Sequence, residues 1–228
     1  MLFSCAMLPS LALSLVDNDG TKTGFIDGFL ITLLGGFLLW APCAKARADL
    51  RIRDGFLVTS LFWVVLGIFG AAPFWLTPEL NMTLTDAIFE SISGLTTTGA
   101  TVITGLDNLP RSILLYRQLL QWLGGIGIIV VAMAILPMLG VGGMALYRAE
   151  TPGPSKDNKL TPRISGTALA LFYVYIVLTL TCAIAYYLAG MSAFDALGHA
   201  FSTVAIGGFS THDASMGYFK NDAILWIS

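Results

Sequence analysis

The sequence predicts an all-α polytopic membrane protein built from tandem helix–pore-loop–helix repeats. Three observations carry that prediction. Of its residues 56% are hydrophobic and only 11% charged, against about 25% charged in a soluble domain. The apolar residues gather into runs long enough to cross hydrocarbon. One stretch occurs twice: residues 84–101 superimpose on 193–210 without a gap at a spacing of 109 positions, placing Asp86 on Asp195, Ala87 on Ala196, Ser93 on Ser202 and Gly99 on Gly208.

Taken in order, the apolar segment 1–16 lacks a basic start and a clear cleavage site, so it reads as the tail of a first transmembrane helix rather than as a signal peptide. A polar hairpin at 17–22 leads into a second span, about 24–42, which ends at Lys45, Arg47, Arg51 and Arg53. A third span, about 55–76, precedes the first copy of the repeat. From Gln118 to Tyr147 there are 30 residues without Asp, Glu, Lys or Arg, more than the ~20 a span requires. That helix is expected to tilt, bend or break, with Pro137, Gly140, Gly142 and Gly143 as the sites of a break. A linker brings the chain to another span, about 166–190, and the second copy. Residues 209–222 read as loop, and 223–228 as the first turn of a helix. The expected division is 1–54, two N-terminal transmembrane helices; 55–147, the first helix–pore helix–filter–helix unit; 148–165, a cytoplasmic linker; and 166–228, a second, incomplete unit truncated after its pore loop.

Charge fixes the expected orientation. Four of the 12 Lys and Arg lie in 44–54 and four in 148–163, so these loops face the cytoplasm and both pore loops enter from the opposite side. Ten of the 14 acids fall on that outer side, which would concentrate cations there. The net charge of −2 and the scattered basic residues exclude a nucleic-acid binder. Cys5, Cys43 and Cys182 have no paired spacing and read as packing residues.

Each copy of the repeat is a 12-residue apolar run followed by Thr, Ser, Gly and small residues. A helix of that length reaches only ~18 Å, against ~30 Å of hydrocarbon, so it cannot span. Irregular backbone is tolerated at that depth only in protein or along a water-filled path. A filter for a cation replaces its hydration shell with carbonyl oxygens at fixed radius, glycine gives the backbone the angles required, and the half-helix C-terminus adds about half a negative charge. Thr96, Thr97, Thr98 and Gly99 meet these demands, as do Ala205, Ile206, Gly207 and Gly208. Asp86 and Asp195 read as helix N-caps. Glu90 and His199, at equivalent positions, read as structural hydrogen-bonding groups or outer charges. Arg117 reads as a partner for nearby carbonyls or an acid, and Gly124, Gly125 and Gly127 as sites of close helix packing. His212 beside Asp213 is two residues in one loop, too weak a pattern to assign a metal site. No catalytic or cofactor-binding residue is assigned, since Ser93 is the only superficial nucleophile and neither histidine pairs with it.

The strings 93–101, 117–129, 136–143, 146–154 and 205–213 closely resemble the TrkH-type potassium-uptake family of bacteria, part of the Trk/Ktr/HKT superfamily, over nearly all of the chain. The resemblance implies a K⁺-channel-like pore of four consecutive units around one axis after two extra helices, in an inner membrane, taking up potassium ion as substrate with no cofactor in this chain. It implies Gly99 and Gly208 as filter glycines, with the carbonyls of 96–98 and 205–207 beside them. The second filter departs from the first in having Ala205, Ile206 and Gly207 where the first has three threonines, so backbone carbonyls are expected to carry the coordination. It further implies a homodimer and a cytoplasmic ring of nucleotide-binding TrkA-type subunits that gates the pore. Two filter segments where four are needed predict an N-terminal portion. The alternative is a non-conducting assembly or interaction subunit.

Overall fold

The computed structural model describes residues 1–44, 52–135 and 160–228. Among these every regular element is helical. A 3₁₀ turn, Leu2–Met7, leads into α1, Leu8–Asp17, with Pro9 in the first turn, where its missing N–H costs nothing. Asn18 ends α1 in the left-handed conformation (φ 50°). Then follow α2, Lys22–Trp40, and α3, Ile52–Gly70. The expected span 55–76 is not one helix: α3 stops at Gly70 and α4 covers Ala72–Leu76. Pro73 explains the break, because it offers no N–H to the Phe69 carbonyl. Side chains take over there: Tyr116 donates to the Gly70 carbonyl at 3.0 Å and Thr32 makes a long 3.5 Å bond to that of Phe69.

The half-helix α5, Leu84–Leu95, comes next, then α6, Arg111–Ile135. Pro137 and the glycines that follow lie outside the described residues. A helix α7, Leu160–Leu188, starts inside the stretch expected to be linker, since Pro162 falls in the first turn, where proline is accepted. The second half-helix α8, Ala193–Val204, and a short α9, Asp222–Ile227, complete the chain.

The half-helices are held differently from the long helices. α5 packs between α3 and α6, and α8 between α6 and α7, so α6 touches both half-helices. Its first turns carry the main core, in which Ile113, Tyr116 and Leu120 meet Met7, Phe25, Phe74, Ala87 and Leu95. Gly24 and Gly28 of α2, one turn apart, let α4 approach: a methyl group on Gly28 would sit 3.0 Å from the Pro73 ring. The outward faces are apolar, including Leu34, Leu38, Val177 and Ile184, the reverse of a water-soluble surface pattern. Lys22–Trp40 and Leu169–Leu188 are long and apolar enough to cross a membrane.

Between α1 and α2 the Asp19 carboxylate accepts hydrogen bonds from Ser14 (2.6 Å), Ser112 (2.6 Å) and the Thr21 hydroxyl and N–H (2.8 and 3.1 Å). Partial burial pushes its pKa up, but these bonds outweigh it and hold the carboxyl below the ordinary 3.8. A depressed acid stabilises the fold above its unfolded-state pKa, and the contribution fades as pH falls through the folded-state value. Asp19→Asn is therefore expected to melt below the parent at pH 7, with the gap closing once the pH drops under 3.8. A gap that stays constant in melts down to pH 3 would contradict this.

Candidate functional site: two re-entrant turns against one helix

Both half-helices begin alike. Thr83 is the N-cap of α5, accepting the Asp86 N–H at 3.2 Å while its hydroxyl donates to the Asp86 carboxylate at 2.7 Å. Ser192 does the same with Asp195 at 3.1 and 2.7 Å. The expectation that Asp86 and Asp195 are the caps is thus corrected: they stand three residues later, where each carboxylate holds the hydroxyl of the cap residue. Thr83 and Ser192 stand directly before the first helical residue, the place from which a side-chain oxygen reaches the free N–H of the third.

Both half-helices also end alike. The N–H groups of Thr97 and Thr98 return to the carbonyls of Gly94 (3.0 Å) and Ser93 (2.9 Å), and those of Ile206 and Gly207 to Thr203 (3.0 Å) and Ser202 (2.8 Å). This is the Schellman arrangement, but its left-handed residue is Thr97 (φ 55°) in one copy and Ile206 (φ 57°) in the other. A β-branched side chain in that conformation costs ~1–2 kcal/mol. Gly99 (φ 75°) and Gly208 (φ 85°) follow two residues later. The turn draws the N–H groups toward the helix, and among the described residues the carbonyls of 96–99 and 205–208 accept no hydrogen bond. The Thr96 hydroxyl donates back to Ile92 at 2.8 Å and lies 2.8 Å from that of Thr98, so these side chains serve the turn. The two turns meet: a methyl group on Gly99 would overlap the Gly207 carbonyl oxygen and lie 3.5 Å from Gly208 Cα. All eight predicted filter residues therefore belong to one pair of adjoining segments.

Behind them stands α6. Arg117, fully buried, pairs with fully buried Glu90 of α5 at 2.7 Å. It also donates to the Ser210 carbonyl (3.0 Å) and to Thr101 Oγ1 (3.1 Å), with its guanidinium 4.3 Å above the Phe209 ring. Glu90 further accepts from the Thr101 hydroxyl (3.0 Å) and the Val102 N–H (3.1 Å). Arg117 and Glu90 are structural groups, as expected. His199, which replaces Glu90 in the second copy, has Nδ1 2.8 Å from the Asp195 carbonyl and Nε2 3.0 Å from Ser210 Oγ. The Gly124 packing role is severe: a methyl group there would overlap the Leu95 carbonyl, while one on Gly127 would press the Trp63 ring at 3.1 Å.

At the rim, His212 lies 2.5 Å from Asp107 and 3.4 Å from Asp195, and stacks on Tyr218 with ring centres 3.5 Å apart. The hydrogen bond from His212 holds the exposed Asp107 carboxyl below its ordinary range. Asp213 does not join His212 on one ligand; it accepts the Gly105 N–H at 2.9 Å. These contacts tie the loop after the first turn to the loop after the second. Gln118 and Gln121 were not singled out from the sequence. Gln118 Nε2 donates to the Phe209 carbonyl and Gln121 Oε1 accepts the Phe209 N–H, both at 3.1 Å. The available signal was an amide pair one turn apart beside Arg117 in an otherwise apolar helix.

Half-helices too short to span, glycine-bearing turns whose carbonyls accept no hydrogen bond among the described residues, and long apolar helices around them define an all-α membrane protein of the helix–pore-loop–helix class. The TrkH family, described as cation transport proteins, matches residues 21–228, and the chain belongs to that family. It is 62% identical to the Trk system potassium uptake protein TrkH of Halomonas elongata and 57% to that of Escherichia coli K12, each match covering 98% of this chain and 46% of the relative. The crystal structure of the potassium transporter TrkH from Vibrio parahaemolyticus is similar at a TM-score of 0.86 and 53% identity, over 99% of this chain and 45% of that one. The chain spans about half the length of these relatives.

Proposed function

We propose that this chain supplies two oxygen-lined segments, 96–99 and 205–208, to a pore through which K⁺ enters the cell. The observation that carries the reading is the two adjoining turns whose carbonyls are left without hydrogen bonds. Such oxygens can take the place of water around a cation, whose uncompensated dehydration would cost tens of kcal/mol on Born grounds. Potassium is chosen because the relatives are named potassium uptake proteins, which also argues for transport over catalysis. The division into two leading helices, one full unit and part of a second accompanies this reading. The basic loops 44–54 and 148–163 face the cytoplasm of a bacterial inner membrane and the pore loops enter from the periplasm. A homodimer and a TrkA-type nucleotide-binding ring acting through 148–163 are proposed as assembly and gate.

The test is ⁸⁶Rb⁺ uptake into liposomes carrying the complete transporter. Uptake is expected to be suppressed by external K⁺ and far less by Na⁺; uptake no faster than in empty liposomes would sink the proposal. The second reading is a non-conducting assembly or interaction subunit of such a transporter. Liposomes carrying this chain alone separate the two readings, since flux from it would exclude the second.

A further inference from the structure

The two turns follow the same path but are supported differently. In the first, the residue after the filter glycine is fixed within its own unit, where Ser93 Oγ donates to the Ala100 carbonyl at 2.6 Å. The repeat places Ser202 at the position of Ser93 and Phe209 at that of Ala100. Ser202 makes no such bond among the described residues and lines a cavity of about 380 Å³ with Thr203, Gly207 and Met216. The Phe209 peptide is gripped from α6 instead, its carbonyl by Gln118 and its N–H by Gln121, both at 3.1 Å. Both glutamines are fully buried. Their other amide atoms, Gln118 Oε1 and Gln121 Nε2, have no partner among the described residues. Leaving such atoms unpaired is a cost that an apolar residue of the same size would avoid, so packing alone does not account for the pair. The Gln121 amide also fills the place a Gly207 side chain would need.

We propose that Gln118 and Gln121 are positioning residues for the second filter segment, holding the Gly208–Phe209 peptide, and with it the Gly208 carbonyl, at its radius from α6 of the preceding unit. The proposal rests on the reading of 205–208 as filter. The amides grip the peptide next to the glycine and do not touch the ion. Their loss frees that peptide to rotate, so discrimination between ions falls before the pore closes.

The experiment compares the complete transporter with Gln118→Met, Gln121→Met and Gln121→Glu variants, Gln121→Glu keeping an acceptor oxygen for the Phe209 N–H. Amide hydrogen exchange over 205–211 is expected to quicken about tenfold in Gln121→Met and to recover in Gln121→Glu, with 96–101 unchanged. The Rb⁺-to-Na⁺ uptake ratio in liposomes is expected to fall roughly fivefold in both Met variants. Ser93→Ala is expected to loosen 96–101 alone. Unchanged exchange in the Met variants, or faster exchange with an unchanged uptake ratio, would overturn the proposal. If the unsubstituted transporter takes up neither ion, the filter reading fails, and the exchange data still decide whether α6 holds the turn. Should Gln121→Met not fold, Gln118→Met gives the same two readouts.

Discussion

Arg117→Leu is expected to destabilise the protein by about 3–5 kcal/mol, because it leaves the Glu90 carboxylate buried without a counter-charge. Glu90 is fully buried and would keep only the Thr101 hydroxyl and the Val102 N–H as donors. The same change frees the Ser210 carbonyl of the second turn. Glu90→Gln alone strands the arginine, so it is also expected to be severe. Combining the two removes both charges, and the double variant is expected to lose much less than the sum of the singles. Melts of all four proteins in one detergent measure this coupling. Additive losses would show that the pair is not the strut inferred from its 2.7 Å contact.

Gly99→Ala is expected to abolish Rb⁺ uptake by the complete transporter, with Gly105→Ala as the matched control. The two glycines have nearly the same backbone, φ 75° and 73°, so each substitution pays a left-handed penalty of ~1–2 kcal/mol. Among the described residues Gly99 has a neighbour in the way, the Gly207 carbonyl oxygen, whereas Gly105 has nothing within 4 Å. Near-normal uptake in Gly105→Ala beside none in Gly99→Ala would assign the effect to the approach of the two turns. Equal losses would assign it to backbone strain and remove the contact from the account.

The half-helices were legible to the residue, Leu84–Leu95 and Ala193–Val204, because duplication, apolar runs and the following glycine agree at every level. Their caps were misread, since an aspartate three residues in carries the same sequence signal as one at the cap. The break before Pro73 was missed because the apolar run continues through it, and hydropathy does not register a missing N–H. The start of α7 at Leu160 was hidden by a polar, proline-rich stretch whose last residues suit a first helical turn. The left-handed Thr97 and Ile206 could not have been foreseen, since local preference opposes them and only the surrounding packing imposes them. The roles of Gln118 and Gln121 depend on partners 91 and 88 positions away, beyond what spacing along one helix can show.

That separation bears on the order in which the protein takes shape. The first turn draws its partners from nearby in the chain: Ser93 bonds seven positions ahead, Glu90 eleven or twelve, and Arg117 of α6 stands only 16 positions beyond Thr101. The second waits on Arg117, Gln118 and Gln121, some 90 residues upstream, and contacts that distant form only after a long loop has closed. A ribosome delivering this chain from its N-terminus would have α6 in the bilayer before residue 209 is made. The helix is then already waiting as a template when the later loop arrives, and circular permutation between the two units would reverse that schedule.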